Sequence, residues 1–169
     1  MDEELENELS GIFAKDAAQR KDVDRKAEAA RQVRFEYLAL FRRQLADIIQ
    51  PALEDFVGSI LQYGWSGTIE VTKEGGTATS GGYTRNHEGV SVIFSTANGT
   101  PPTPTRAKGP TFAIICEPDK REIRFHGTTT TTSGQIQTSQ IKLDLITGKE
   151  VQRLVLGYFT KLVGEVRPR

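Results

Sequence analysis

The sequence predicts an α+β fold, a five-stranded antiparallel meander covered on one face by a long kinked N-terminal helix and a C-terminal helix. Three observations carry that expectation. Apolar residues recur every three or four positions from 38 to 61 and again from 151 to 163, the period of a helix with one buried face. Between these stretches the period falls to two, in segments bounded by Gly, Pro, Asn and Asp, as in half-buried strands. No helical segment separates those strands, so successive strands connect by hairpins or loops and the sheet is antiparallel.

The first element is a charged helix. Residues 2–8 carry five acids and no base, whereas residues 15–34 carry seven bases against four acids. Asp16 with Arg20, and Asp22 with Lys26, are acid-first pairs four residues apart, each supporting a helix by about 0.2–0.5 kcal/mol. Large apolar groups are sparse there, so the helix has little to bury within its own chain. The expected division is therefore a charged helical extension, 1–34, and a single α+β domain, 35–169. The extension is expected to self-associate or dock on a protein partner, in the manner of a coiled coil.

From residue 35 the stripe thickens. Leu38, Phe41, Leu45, Ile48, Ile49, Leu53, Phe56, Val57, Ile60 and Leu61 share one helical face. Pro51 removes the amide that would bond the carbonyl of Asp47, but the apolar phase continues across it, so a kink is expected rather than two helices. Gly64 suits the left-handed position that ends a helix.

The strands follow. Trp65, Gly67, Ile69 and Val71 alternate with polar residues in the first, and Val90, Val92 and Phe94 alternate with Ser91, Ile93 and Ser95 in the second. Between them "EGGTATSGGYTRN", 74–86, lacks the Lys-Ser/Thr pair of a phosphate loop and reads as a hairpin loop. Residues 112–117 and 122–128 flank "EPDKRE", whose Pro-Asp pair marks a tight reversal. In the fifth segment Ile136 and Thr138 fall in one phase and Ile141, Leu143 and Leu145 in the other, which predicts a bulge near Ser139 and Gln140. Thr147 and Glu150 have capping-box spacing ahead of the last helix, whose face is Val151, Leu154, Val155, Tyr158, Phe159, Leu162 and Val163. The expected core joins both helical stripes to Trp65, Ile69, Val71, Val92, Phe94, Phe112, Ile114, Ile123, Phe125, Leu143 and Leu145.

Composition bounds the function. The 169 residues are 37% hydrophobic and 26% charged with zero formal net charge, the profile of a globular chain and not of a polyanion binder. Residues 15–34 also lack aromatic groups for base stacking, which argues against nucleic acid. Cys116 is the single cysteine, so no internal disulfide forms, and with no secretory or membrane-spanning pattern the expected location is the cytoplasm.

Chemistry has few candidates. Five consecutive threonines, 128–132, follow His126, but a catalytic threonine needs a base and a group to orient that base. The threonine run reads instead as an exposed strand ribbon. Glu70, Glu117, Glu122, Arg124 and His126 share the outward strand phase and are the only candidates for acid–base work. His87, His126 and Cys116 lack zinc-ligand spacing. No catalytic, cofactor or metal site is predicted. The proline-rich loop 97–110 and the threonine turn fall at one end of the meander, which makes Arg106, Lys108, Thr130, Arg124 and His126 the expected ligand or partner contacts. The alternative to partner docking is a small-molecule pocket between sheet and helices, lined by Trp65, Phe94, Phe112 and Phe125.

Overall fold

The computed structural model describes residues 3–79, 82–96, 109–129, 133–136 and 141–166. The chain forms two compact units, Met1–Tyr37 and Leu38–Arg169. Helix α1 runs Glu3–Gln44, and up to Tyr37 it constitutes the first unit. Its expected ion pairs form: Arg20 Nε lies 2.9 Å from Asp16, and Lys26 Nζ lies 2.7 Å from Asp22. Arg25 adds a 2.6 Å bond to the same Asp22 carboxylate. Each such pair is exposed and adds only tenths of a kcal/mol.

In the second unit, the proline is absorbed without ending the helical path. A π turn, Leu45–Ile49, follows α1, with the Gln50 amide bonding the carbonyl of Leu45, and α2 runs Gln50–Ile60 with Pro51 in its first turn. Pro51 has no amide to return to the preceding turn, and the wider π turn just before it takes up that gap while the helical path continues. Gly64 closes the path with φ 78° and its amide 3.1 Å from the carbonyl of Leu61, the conformation only glycine adopts cheaply.

The sheet then builds from β1 (Trp65–Thr72), β4 (Gly89–Thr96), β5 (Thr111–Glu117), β6 (Glu122–Thr128) and β7 (Ser133–Gln135), every neighbouring pair antiparallel. The glycine-rich segment 74–86 is more than a loop. It forms its own two-stranded hairpin, β2 (Gly75–Thr79) with β3 (Gly82–Asn86), between β1 and β4. Helix α3, Gly148–Val166, carries the expected capping box: the Thr147 amide donates to Glu150 Oε2 at 2.9 Å and the Glu150 amide to Thr147 Oγ1 at 3.3 Å.

Aromatic rings join sheet to helices. Phe159 of α3 meets Trp65, Phe94 and Phe56 at ring-centroid distances of 5.1, 5.3 and 5.7 Å, and Tyr158 meets Phe94 and Phe112 at 5.7 Å each. Tyr158 settles against the sheet because Gly127 lies under its ring: a Cβ there would stand 2.7 Å from Tyr158 Cδ2. Its hydroxyl donates to the carbonyl of Thr128 at 2.6 Å.

Three expectations need correction. Strand β7 is shorter and earlier than the predicted fifth strand, and Leu143–Leu145 is a 3₁₀ turn. The phase conflict read as a bulge has another cause: one tight turn brings Leu143 and Ile146, three apart, into the core together and leaves Leu145 66% exposed. Ser139 and Gln140 lie outside the described residues. Val71 is 48% exposed, because inward-facing side chains on β1 lose cover along the strand, from buried Trp65 through half-buried Ile69. Leu61, expected in the helical stripe, is 58% exposed, since the 3₁₀ turn Leu61–Tyr63 takes it off the phase of α2.

Candidate functional site

The first unit of helix α1 presents apolar side chains to water. In the first unit every residue from 5 to 32 is exposed except half-buried Asp22. Among them are Leu5, Leu9, Ile12, Phe13 and Val23, 40–68% exposed. Ordinary helices gain most of their stability by burying an apolar face. Here the apolar side chains of a helical segment meet water.

The outward face of the sheet holds the polar candidates, and strand register decides which of them meet. Glu70, Ser91, Ala113, His126 and Gln135 form one row across the five strands. Glu70 and His126 are therefore three strands apart, roughly 14 Å at ~4.8 Å per strand. His126 is half-buried, with Ala113 and Gln135 as its lateral neighbours. Glu70 and His126 do not converge.

Glu117, Glu122 and Arg124 do come together. Glu117 and Glu122 are register partners closing the β5–β6 hairpin, and Arg124 Nη2 reaches Glu117 Oε1 at 2.6 Å. Lys120, in the turn, places Nζ 2.9 Å from Glu117 Oε2, an ion pair off ideal hydrogen-bond geometry. The Lys120 ammonium, followed by the charge of Arg124, holds the Glu117 carboxyl below its ordinary range despite burial. A carboxylate clamped between two cations is a fixed anion, poorly suited to take up a proton near neutral pH. His87 adds to the same field. Its proximity was hidden in the sequence, where it lies thirty residues from Glu117, but pairing of Gly89 with Ile115 brings the two level.

Sequence reasoning missed a second ion pair. Arg42 of α1 grips Glu88 with Nε to Oε1 at 2.8 Å and Nη2 to Oε2 at 2.9 Å. The Glu88 side chain is 5% exposed and that of Arg42 56%, so the carboxylate is buried and its partner reaches water. The missed signal was phase: Glu88 precedes Val90, Val92 and Phe94 at two-residue spacing and so points inward, where an acid needs a cation. The Glu88 carbonyl also accepts the Cys116 amide at 2.8 Å.

Thr128 and Thr129 of the threonine run are among the described residues. Thr128 ends β6, and Thr129 is 6% exposed with Oγ1 donating to Glu165 of α3 at 2.9 Å, so the run begins as a docking point for the helix and not as an exposed ribbon. Residues 130–132 lie outside the described residues, as do Arg106 and Lys108. Of the five residues expected to contact a ligand or partner, Arg124 and His126 are among the described residues and lie on one sheet face, two positions apart on β6.

The rings expected to line a pocket touch other rings. Trp65, Phe94, Phe112 and Phe125 are at most 6% exposed, and each meets another aromatic centroid within 6.5 Å. They occupy the space between sheet and helices themselves. Among the described residues, no three His, Cys, Asp or Glu side chains group as metal ligands, and no helix is long and apolar enough to cross a membrane. Set against known families, curated proteins and solved structures, the chain matches none.

Proposed function

We propose that this protein is a non-enzymatic interaction or assembly module that docks to protein through the first unit of helix α1. One observation carries the reading: Leu5, Leu9, Ile12, Phe13 and Val23 stand 40–68% exposed along a single helix. Scattered apolar side chains on a surface need no explanation, but several on one otherwise charged helix mark a face with a partner. The groups that acid–base chemistry would use support the same reading from the other side. Glu117 is committed to Lys120 and Arg124, and Glu88 to Arg42. A cytoplasmic setting fits the one free cysteine, Cys116, held in the core without a disulfide.

The test is recovery of complexes from the native cells with the tagged full-length chain and with its Leu9→Asp/Ile12→Asp variant. Both substitutions lie on the exposed helix and leave the core untouched, so the variant should fold, shown by an unchanged Trp65 emission spectrum. Proteins, including further copies of the chain, that associate with the parent and not with the variant are expected. An identical set from both would remove the helix as the docking surface.

A further inference from the structure

From its charge pattern we infer that the occupant of this helix is a second copy of the same chain, paired antiparallel in one register. The inference rests on the docking reading above and names its partner. The heptad stripe of the first unit is Leu5, Leu9, Ile12, Asp16, Gln19, Val23, Lys26, Ala30, Val33 and Tyr37, alternating steps of four and three. A stripe of that 3.5-residue period winds two helices about each other with its residues interleaved. Asp16, Gln19 and Lys26 interrupt it, and those interruptions discriminate between arrangements.

In a parallel pair each residue faces its own copy, so Asp16 meets Asp16 and Lys26 meets Lys26 within the seam. Turned antiparallel with Leu5 opposite Tyr37, the layers become Leu9 with Val33, Ile12 with Ala30, Asp16 with Lys26, and Gln19 with Val23. Every apolar residue from 5 to 12 then meets an apolar one, and the acid meets the base, twice by symmetry. A slip of one heptad destroys this. One direction sets Lys26 against Leu9 and Asp16 against Gln19; the other sets Lys26 against Val23 and Asp16 against Val33. Charges within a seam select register and orientation in this way at some cost in affinity. The flanking positions are mixed, Glu6 falling beside Arg34 but Glu8 beside Glu36, so the seam decides the register. Asp16 and Lys26 already make exposed ion pairs within one helix, to Arg20 and Asp22, and their carboxylate and ammonium retain capacity for a partner.

The experiment uses the full-length chain, whose own Cys116 is fully buried. Leu9→Cys and Val33→Cys are made separately, then mixed, and treated with a short thiol-to-thiol cross-linker. The expected result is a covalent dimer from the mixture and none from either alone, because copies of residue 9 in the antiparallel pair lie roughly 36 Å apart at ~1.5 Å per residue. Cross-linking of Leu9→Cys alone would mean parallel pairing and overturn the proposal. Absence of any dimer, with monomeric mass for the unmodified chain by light scattering, would overturn self-pairing while leaving the test for other partners standing. Charge exchange supplies an independent reading that needs no cysteine. Asp16→Lys should raise the dimer Kd roughly tenfold, and adding Lys26→Asp should restore it to within about threefold. Failure of the double exchange to restore affinity refutes the register.

Discussion

Replacing Gly127 by alanine tests the packing of α3 on the sheet. The added methyl carbon would stand 2.7 Å from Tyr158 Cδ2, 3.0 Å from Cε2 and 3.2 Å from Ile136 Cδ1, all inside the roughly 3.5–4.0 Å of ordinary carbon contact. The ring has little room to retreat, since Phe94 and Phe112 pack against it at tilted angles and its hydroxyl is fixed to the carbonyl of Thr128. Overpacking of this kind costs about 1–3 kcal/mol, while the alanine restricts the unfolded chain and returns about 0.4–1 kcal/mol. The net expectation is a loss of roughly 0.5–2 kcal/mol, or roughly 1–8 °C in Tm for a chain this size. Urea unfolding followed through Trp65 reads it directly, because this single tryptophan packs on Phe159 in the same aromatic layer. The control is the same change in a Tyr158→Ala background, where the alanine should be neutral or slightly stabilising. An equal cost in both backgrounds would show that the ring is not what the methyl meets, and the packing argument would fail.

Three further outcomes follow from the ion pairs and the buried phenol. Arg42→Ala should destabilise more than Glu88→Ala: the first strands a buried carboxylate, at about 3–5 kcal/mol, whereas the second leaves a cation already in water, at about 1–3 kcal/mol; chemical denaturation of both variants checks the order. Because the folded-state pKa of Glu117 lies below its ordinary 4.5, the stability it contributes is present above that pH and lost as pH falls through the folded value. Glu117→Gln should therefore flatten the fall in urea midpoint below about pH 4.5, and an unchanged acid limb would count against the clamp. The Tyr158 phenol is raised by burial and then by the charge of Glu165, so stability holds below its ordinary value of 10.0 and declines as pH climbs beyond it. Tyr158→Phe should make that alkaline decline shallower, at a cost near neutral pH of about 0.5–1.5 kcal/mol for the lost hydrogen bond.

Local signals with a direct physical cause were legible in the sequence. Periods of 3.6 and 2 separated helices from strands because burial imposes them, and Thr147 with Glu150 marked a helix start through hydrogen bonds spanning three residues. Features set by chain reversal were not. Residues 143–146 showed two apolar phases, and period alone does not distinguish a bulged strand from one 3₁₀ turn. Glu88 was readable as inward from its phase, but its partner Arg42 lies 46 residues away on another element, and nothing local announces that pairing. The outward candidates illustrate the same limit: strand phase put Glu70, Glu117, Arg124 and His126 on one face, and only register revealed that Glu117 joins Arg124 while Glu70 sits three strands from His126.

The first unit of α1 poses a question of stability that its charges alone do not answer. Exposed pairs such as Asp16–Arg20 add tenths of a kcal/mol each, and Gly11 subtracts about 1 kcal/mol relative to alanine in a helix interior. In proteins most helical stability comes from packing an apolar face and not from propensity. Burial would change that balance: each of Leu5, Leu9, Ile12 and Val23 is about half exposed and would gain roughly 1 kcal/mol on being covered, half the range for full burial of such a side chain. Helicity in residues 5–33 should consequently depend on whether the face is occupied. In the full-length chain, amide hydrogen exchange across these residues should slow as protein concentration rises through the dimer Kd, while exchange in the sheet stays constant. Leu9→Asp should abolish the concentration dependence and leave the first unit exchanging fast throughout. Equal, concentration-independent protection in both chains would mean that the helix is stable with its apolar side chains in water, and the physical case for an occupant would be lost.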